Sequence, residues 1–505
     1  MSVRSIRAKR LLLNTSSGII LQAVTIICGF VLPRLILISY GSGVNGLVSS
    51  IGQFLSIISL LEFGVGAVVE SALYKPLSKN DITKTSQIIT SANKFFRIIG
   101  FVLFLYVLLL IAFYPQLIND KYDWMFTVLL IIALSITYFS QYFFGIVDGL
   151  LLNASQRGYI QNITKTATIL VNTFVCVFLM VKGYSIQTVK FSTAIIFLFR
   201  PFVYRIYINR NYHINRHEKY KGEPIKQKWN GIAQHIASMI LSNTDMVVLT
   251  TLSTLENVSI YSVYNQVING LLLLITSITN GMGPLIGDMW ARQEEKKLTE
   301  VFGWFEWITH TLTILIYGCC STLILPFVYV YTAGIDDTEY IQPAFSLILI
   351  FANIMHSLRL PYNTMILAAG QYKQTQHNYI ISATLNVIVS VISVKKWGLI
   401  GVAVGTLIAM AYQTTWMAYY DSINLVKWPL KRYLYQVMVD CVIFMIGFNV
   451  MSNIPVEVSS FIEWILLAVL MVSIWIVIST ILNLIFFKDQ IDRLLMKMKK
   501  IGGKL

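Results

Sequence analysis

Acidic residues are scarce in this chain, 24 Asp and Glu against 39 Lys and Arg in 505 residues, and there are only six His and five Cys. A structural or catalytic metal needs clustered thiolates, imidazoles or carboxylates. The cysteines, Cys28, Cys176, Cys319, Cys320 and Cys441, instead lie in apolar runs without ligand spacing. They read as packing residues, implying neither disulfide nor zinc, and no cofactor is called for. The sequence also lacks G-x-x-x-x-G-K-[ST], H-E-x-x-H and G-x-S-x-G, so nothing points to ATP hydrolysis, zinc peptidase or serine hydrolase chemistry. Long polar stretches are missing too. With 56% hydrophobic and 12% charged residues, there is no room for a large soluble domain.

What fills the chain is apolar runs long enough to cross a bilayer, which takes about twenty residues in a helix. Fourteen can be marked, at 14–38, 45–70, 94–118, 124–150, 160–181, 186–208, 230–252, 258–286, 301–331, 340–369, 374–394, 397–420, 431–453 and 459–487. The fold class expected is an all-α polytopic membrane protein of about 14 transmembrane helices. The first run is too long for a signal-peptide core and is expected to remain as a helix.

Positive charge is held on the cytoplasmic side during insertion, and here it fills every second gap. Arg4, Arg7, Lys9 and Arg10 precede the first run. Lys75, Lys79 and Lys84, then Arg205 to Lys228, then Arg292, Lys296 and Lys297, then Lys427, Lys431 and Arg432 follow even-numbered runs, and Lys488 to Lys504 close the chain. The other gaps carry mainly Lys121, Lys182, Lys395 and Lys396, and acids such as Glu256, Asp336, Asp337, Glu339 and Glu457. Both termini are therefore expected in the cytoplasm. The net charge of +15 belongs to inner-leaflet loops, and no nucleic-acid partner is implied.

A shift of 214 residues lays the first six runs over the next six without gaps. Val44 meets Val258, Ala154 meets Ala368, Asn172 meets Asn386, and Lys182 meets Lys396. Each half has six crossings and starts inside, so the two are parallel repeats, an arrangement used by transporters with the substrate path between halves. The expected organisation is a six-helix bundle at 1–208, a basic cytoplasmic linker at 209–229, a second six-helix bundle at 230–420, an added helix pair at 431–487 and a basic tail at 488–505.

Ionisable groups within the runs are costly and mark interiors or wet cavities. Arg34 follows Pro33, Arg200 precedes Pro201, and Arg359 lies two residues before Pro361. An arginine beside each helix bend suggests a cationic cavity, and paired guanidinium hydrogen bonds suit phosphate. Arg34, Arg200 and Arg359 are the substrate-binding candidates. The structural alternative is pairing with Glu62, Asp148, Asp245 or Glu306. Asp245, after Asn243 and Thr244, and Glu62 are the candidates for coupling to H+ or Na+. Glu306 and His310 share one face of a helix, as a proton relay or as a packing pair.

The run YGSGVNGLVSSIGQFLSIISLLEFGVGAVVESALYKPL, from Tyr40 to Leu77, resembles the start of bacterial oligosaccharide flippases of the Wzx type, in the multidrug/oligosaccharidyl-lipid/polysaccharide (MOP) exporter superfamily. Gly43, Asn45, Gly46, Glu62, Gly64, Gly66, Tyr74, Lys75 and Pro76 carry the likeness, and LAAGQYK, from Leu367 to Lys373, is similar to the family's loop before the eleventh segment. The resemblance implies two six-helix bundles in a MATE-like V with a cationic cavity, and alternating access driven by H+, Na+ or the substrate gradient. The substrate implied is an undecaprenyl-diphosphate-linked oligosaccharide for capsule, exopolysaccharide or O-antigen. The place implied is the bacterial plasma membrane, among membrane lipids and polysaccharide-assembly enzymes. Lipid II flippases, which are related, have an extra helix pair that forms a groove for the lipid tail, which gives 431–487 a role. A drug or metabolite antiporter of the same superfamily would show twelve segments and an acid-lined cavity. A membrane polysaccharide polymerase would need a large outer loop, and the outer gaps here are short.

Overall fold

A computed structural model describes residues 3–62, 65–118, 121–220, 222, 232–426, 429–454 and 458–488. Several sequence landmarks lie outside the described residues: Gly64, Lys221, Lys226, Lys228, Lys427, Glu457 and the tail beyond Lys488, together with the side chains of Arg4 and Arg7. Sixteen α-helices follow one another: α1 Val3–Ser56, α2 Val65–Ser78, α3 Ile82–Leu117, α4 Trp124–Ser140, α5 Ile146–Ala154, α6 Gly158–Val181, α7 Ile186–Asn211, α8 Ile232–Leu252, α9 Leu255–Ala291, α10 Glu295–Tyr331, α11 Pro343–Leu358, α12 Leu360–Ala368, α13 Tyr372–Trp397, α14 Leu399–Asn424, α15 Leu430–Ser452 and α16 Phe461–Phe486. No strand occurs among the described residues. A hydrocarbon solvent leaves every backbone polar group to be satisfied within its own segment, and helices do this.

Among the described residues, twelve helical stretches are long and apolar enough to cross a membrane. The difference from fourteen lies in two places. The first two apolar runs join in one stretch, Leu12–Glu62, of 51 residues; at 1.5 Å per residue this is about 75 Å, far more than one bilayer core. It is broken at Gly41, whose φ of 84° takes it out of the helical region. The seventh run is α8, Ile232–Leu252, whose side chains are described from Ile236, and Ile236–Leu252 counts as a shorter apolar helix. Large apolar side chains such as Phe101, Leu105, Phe174, Ile462 and Leu466 are more than half exposed, as lipid-facing residues should be. The chain is a multi-pass membrane protein.

Two compact units divide the chain at Ser259 and Ile260. In the first, α1 packs on α6, α6 on α7 and α4 on α7. Its core runs from Leu47, Ile51 and Leu55 on α1 to Phe96 and Leu103 on α3 and Leu151 and Leu152 on α5. The repeat division assigns α8 to the second bundle, but by packing it falls in the first unit. Polar pairs account for this. Asn45 Nδ2 donates to Ser259 Oγ at 2.7 Å, Ser50 Oγ meets Thr250 Oγ1 at 2.7 Å, and Asn243 Oδ1 accepts from Gln53 and from Ser56 Oγ. Apolar surfaces gain little by meeting each other in lipid, so such hydrogen bonds and close approach of small residues decide helix pairing. Gly46 supplies that approach, since a Cβ there would lie 1.8 Å from the Leu255 carbonyl oxygen.

In the second unit α13 lies along α14. Asn378, Ser382, Asn386 and Ser390, spaced by four, form a buried polar stripe on α13. Ser382 Oγ donates to the Ala409 carbonyl at 2.9 Å and Asn386 Nδ2 to Thr406 Oγ1 at 2.9 Å. Gly401 and Gly405 let the backbones touch; added Cβ atoms would lie 2.4 Å from Ser393 and 2.2 Å from Ser390 Oγ. The pair α15 and α16 docks on α10. Trp475 is fully buried against Gly318 and Gly447, Trp464 Nε1 donates to the Leu323 carbonyl at 3.2 Å, and Trp307 Nε1 to Asn483 Oδ1 at 3.0 Å.

Candidate substrate-binding and coupling residues

Between α4 and α5 the helix widens over Gln141–Gly145, where the Ile146 N–H reaches back five residues to the Gln141 carbonyl. Such π-bulges open a helix wall and recur at functional sites. Here the bulge borders a cavity of about 210 Å³ inside the first unit, walled by Thr137, Ser140 and Gln141, by Gln161 and Lys165 of α6, and by Phe197, Arg200, Pro201 and Tyr204 of α7. Pro201 cannot donate to the ladder, which leaves the Phe197 carbonyl without its intrahelical bond. Arg200 Nε donates to Thr168 Oγ1 at 2.8 Å, and its guanidinium carbon lies 3.7 Å from the centroid of the Phe197 ring. Among the described residues no carboxylate pairs with it, and Lys165, in the same wall, pairs with none either. Ser140 Oγ and Tyr204 OH, also in the wall, are buried without a hydrogen-bond partner. The cavity thus presents two cations and unused polar atoms inside a membrane-spanning bundle, an arrangement that can hold an anion.

Arg359 belongs to the second unit and is 7% exposed. It sits at the joint between α11 and α12, where Pro361 follows in the first turn of α12. Its Nη1 donates to Gln413 Oε1 and its Nη2 lies 3.4 Å from His356 Nε2. Its Nε, Gln413 Nε2 and Asn378 Oδ1 have no hydrogen-bond partner among the described residues. Three of the acids that could neutralise the arginines have other partners. Asp148 pairs with Arg205 at 2.7 Å and Arg216 at 2.8 Å, Glu62 accepts from Tyr142 OH, and Glu306 accepts from Tyr362 OH. Arg34 is half-buried on α1. Arg34 and Arg200 lie in the first unit and Arg359 in the second.

Asp245 is buried on α8 beside Asn243 and Thr244, and Glu62 ends a short 3-10 turn, Ile57–Glu62, after α1. The helical spacing of Glu306 and His310 suggests a pair, but His310 Nδ1 instead meets Asp440 Oδ2 of α15 at 2.6 Å. Tyr433 lies edge-on to both His310 and Tyr362. Asp421 of α14, 1% exposed, is in electrostatic range of Glu306, and neither carboxylate oxygen has a hydrogen-bond partner among the described residues. Sequence reasoning missed Lys165, Asp421 and Asp440. Lys165 and Asp440 each stand as a charge inside a marked apolar run, the same signal that found the arginines. Asp421 lies one residue past such a run.

No family model and no curated protein sequence matches this chain. Solved structures do. A structure of the lipid II flippase MurJ in an inward closed conformation superposes with a TM-score of 0.71 over 95% of this chain and 100% of that one, at 15% identity. The fold is that of MurJ. An inward-facing MATE multidrug-resistance transporter of the MOP superfamily matches at 0.61, covering 81% of this chain and 96% of that one at 14% identity. The eukaryotic MATE transporter AtDTX14 matches at 0.59, covering 83% and 97% at 12% identity. The MurJ structure covers more of this chain than these two MATE structures do.

Proposed function

We propose that this chain is a MOP-superfamily flippase that carries an undecaprenyl-diphosphate-linked oligosaccharide from the inner to the outer leaflet of a bacterial plasma membrane, for capsule, exopolysaccharide or O-antigen assembly. The observation that carries this reading is the pair of cations in the 210 Å³ cavity, Lys165 and Arg200, with no acid among the lining residues. A charged side chain at mid-bilayer costs roughly 2.5–3.5 kcal/mol. Two in one wall are retained where an anion completes them. The MurJ-like fold, with α15 and α16 added after the repeat, supports a lipid-linked substrate, and the basic gaps support cytoplasmic termini. A glycan diphosphate cannot shed its water in hydrocarbon unless polar groups replace it. Arg200 and Arg359, with Arg34, would supply those groups by alternating access. Asp245 and Glu62 would serve coupling.

Replacing Arg200 by Ala should lower export about tenfold or more while leaving the protein in the membrane at normal level. The check is a deletion strain complemented with each variant, its lipids extracted and the glycan-linked polyprenyl species weighed and assigned to a leaflet. Complete repeat units trapped on the cytoplasmic face support the flippase, and complete units on the outer face point to a polymerase. A second reading, a MATE-type antiporter, is favoured by the buried Glu306 and Asp421. It predicts no trapped lipid and a drug-sensitive phenotype.

A further inference from the structure

A larger cavity, of about 800 Å³, opens at the end of the first unit where α1 begins, α2, α5 and α7 finish, and α3 and α6 start. Arg10, Arg157 and His213 are among its lining side chains, and none of the lining residues is acidic. The acid nearest in sequence, Asp81, is turned to cap α3: its Oδ1 accepts from the Lys84 N–H at 2.9 Å, and its Oδ2 is 3.7 Å from Lys84 Nζ. Neither arginine has a carboxylate partner among the described residues. Arg10 Nη1 donates only to the Ser155 carbonyl, at 3.4 Å. Arg157 Nη1 donates to Tyr207 OH at 3.2 Å and Asn211 Oδ1 at 3.1 Å, and its guanidinium carbon is 5.1 Å from the centroid of the Tyr212 ring. Both guanidinium groups lie within electrostatic reach of the Tyr159 hydroxyl, so they converge on one region. Asn80, with φ 51°, and Gln156, with φ 59°, also line it and are the left-handed residues that end α2 and α5: the Asp81 N–H returns to the Pro76 carbonyl at 3.0 Å and the Arg157 N–H to the Leu152 carbonyl at 2.8 Å.

We propose that this cavity binds a phosphate group carried on a lipid, gripped by Arg10 and Arg157 with Tyr212 beside it; the Tyr74 hydroxyl in the wall donates to Glu70 at 3.2 Å. Guanidinium pairs suit phosphate oxygens, and helix ends lie at the depth of lipid phosphates. Two sources share that chemistry: the headgroup of a bilayer phospholipid, and the diphosphate of a polyprenyl-linked substrate waiting at the inner face. The site does not depend on the flippase reading.

The test uses the full-length protein in neutral-lipid nanodiscs, with dioctanoyl phosphatidylglycerol and farnesyl diphosphate as probes and native mass spectrometry as the readout. Arg10→Gln and Arg157→Gln should each weaken binding about tenfold, while Arg210→Gln, at an exposed position outside the cavity, should not. Displacement of phosphatidylglycerol by farnesyl diphosphate assigns the site to a diphosphate lipid; retention of phosphatidylglycerol assigns it to a bilayer phospholipid. Arg157 also braces Tyr207 and Asn211, so its variant can fail by unfolding. Arg10, with one long hydrogen bond, decides the matter. A folded Arg10→Gln protein whose affinity for both probes stays within about twofold of wild type, or a wild type that binds neither, overturns the proposal.

Discussion

Arg359 and Asp440 show two ways of keeping a charge in a bilayer. Asp440 has His310 against it at 2.6 Å, whereas Arg359 has only Gln413 and His356, with its Nε unpartnered. A buried cation without an acid weakens the fold that contains it. Arg359→Met should therefore leave the thermal midpoint of the purified protein unchanged or raise it by a few degrees, while export falls. A thermal-shift assay beside the export assay separates the outcomes. A sharp loss of stability would make Arg359 a structural residue and remove it from the substrate path. The sequence exposed these arginines because a charge in an apolar run is conspicuous. It could not reveal their partners: Gln413 is 54 residues from Arg359 and Asp440 is 130 from His310, and helical spacing reports only neighbours on one helix.

Among the elements, the apolar runs were legible as spans, since length and hydropathy are what lipid selects, but not always to their ends: α3 starts at Ile82, well before the run marked from 94. The interruptions were less so. The turn at Gly41 falls in the short gap between the first two runs, but nothing in the hydropathy marks the 3-10 turn at Ile57–Glu62 or the π-bulge at Gln141–Gly145, because a change of backbone register leaves composition untouched. Packing of α13 on α14 is set by missing atoms. Gly405→Val would drive a side chain into Ser390 Oγ and the Ser390 backbone nitrogen, 2.2 and 2.9 Å from the added Cβ, and should cost about 1–3 kcal/mol or more. Gly270 has no atom within 4 Å of an added Cβ; Gly270→Ala should be neutral or stabilising by about 0.5–1 kcal/mol. Thermal unfolding in detergent compares them. Equal midpoints would show that α13 and α14 can separate without loss.

For the molecule as a whole, the added pair α15 and α16 stands outside the repeat in sequence yet inside the second unit in space. Trp475 closes against glycines on α10 and α15, and Asp440 is the partner of a fully buried His310. A chain ending before Leu430 would leave that imidazole facing lipid and uncover the glycine track on α10. It should be lost to degradation or elute as aggregate in fluorescence-detected size exclusion. A monodisperse shortened product would mean that the pair is an accessory. The 214-residue shift follows sequence likeness, while compactness follows hydrogen bonds such as those from α1 to α8, which hydropathy does not register.

Asn45 and Ser259 are 214 residues apart and bonded to each other, so each is the other's counterpart under the shift that relates the two halves. If that shift records a gene duplication, the ancestor was a six-helix chain in which this position faced its own copy in a second molecule. The bond now made within one polypeptide would then be the relic of a homodimer's self-contact, freed by fusion to become asparagine on one side and serine on the other.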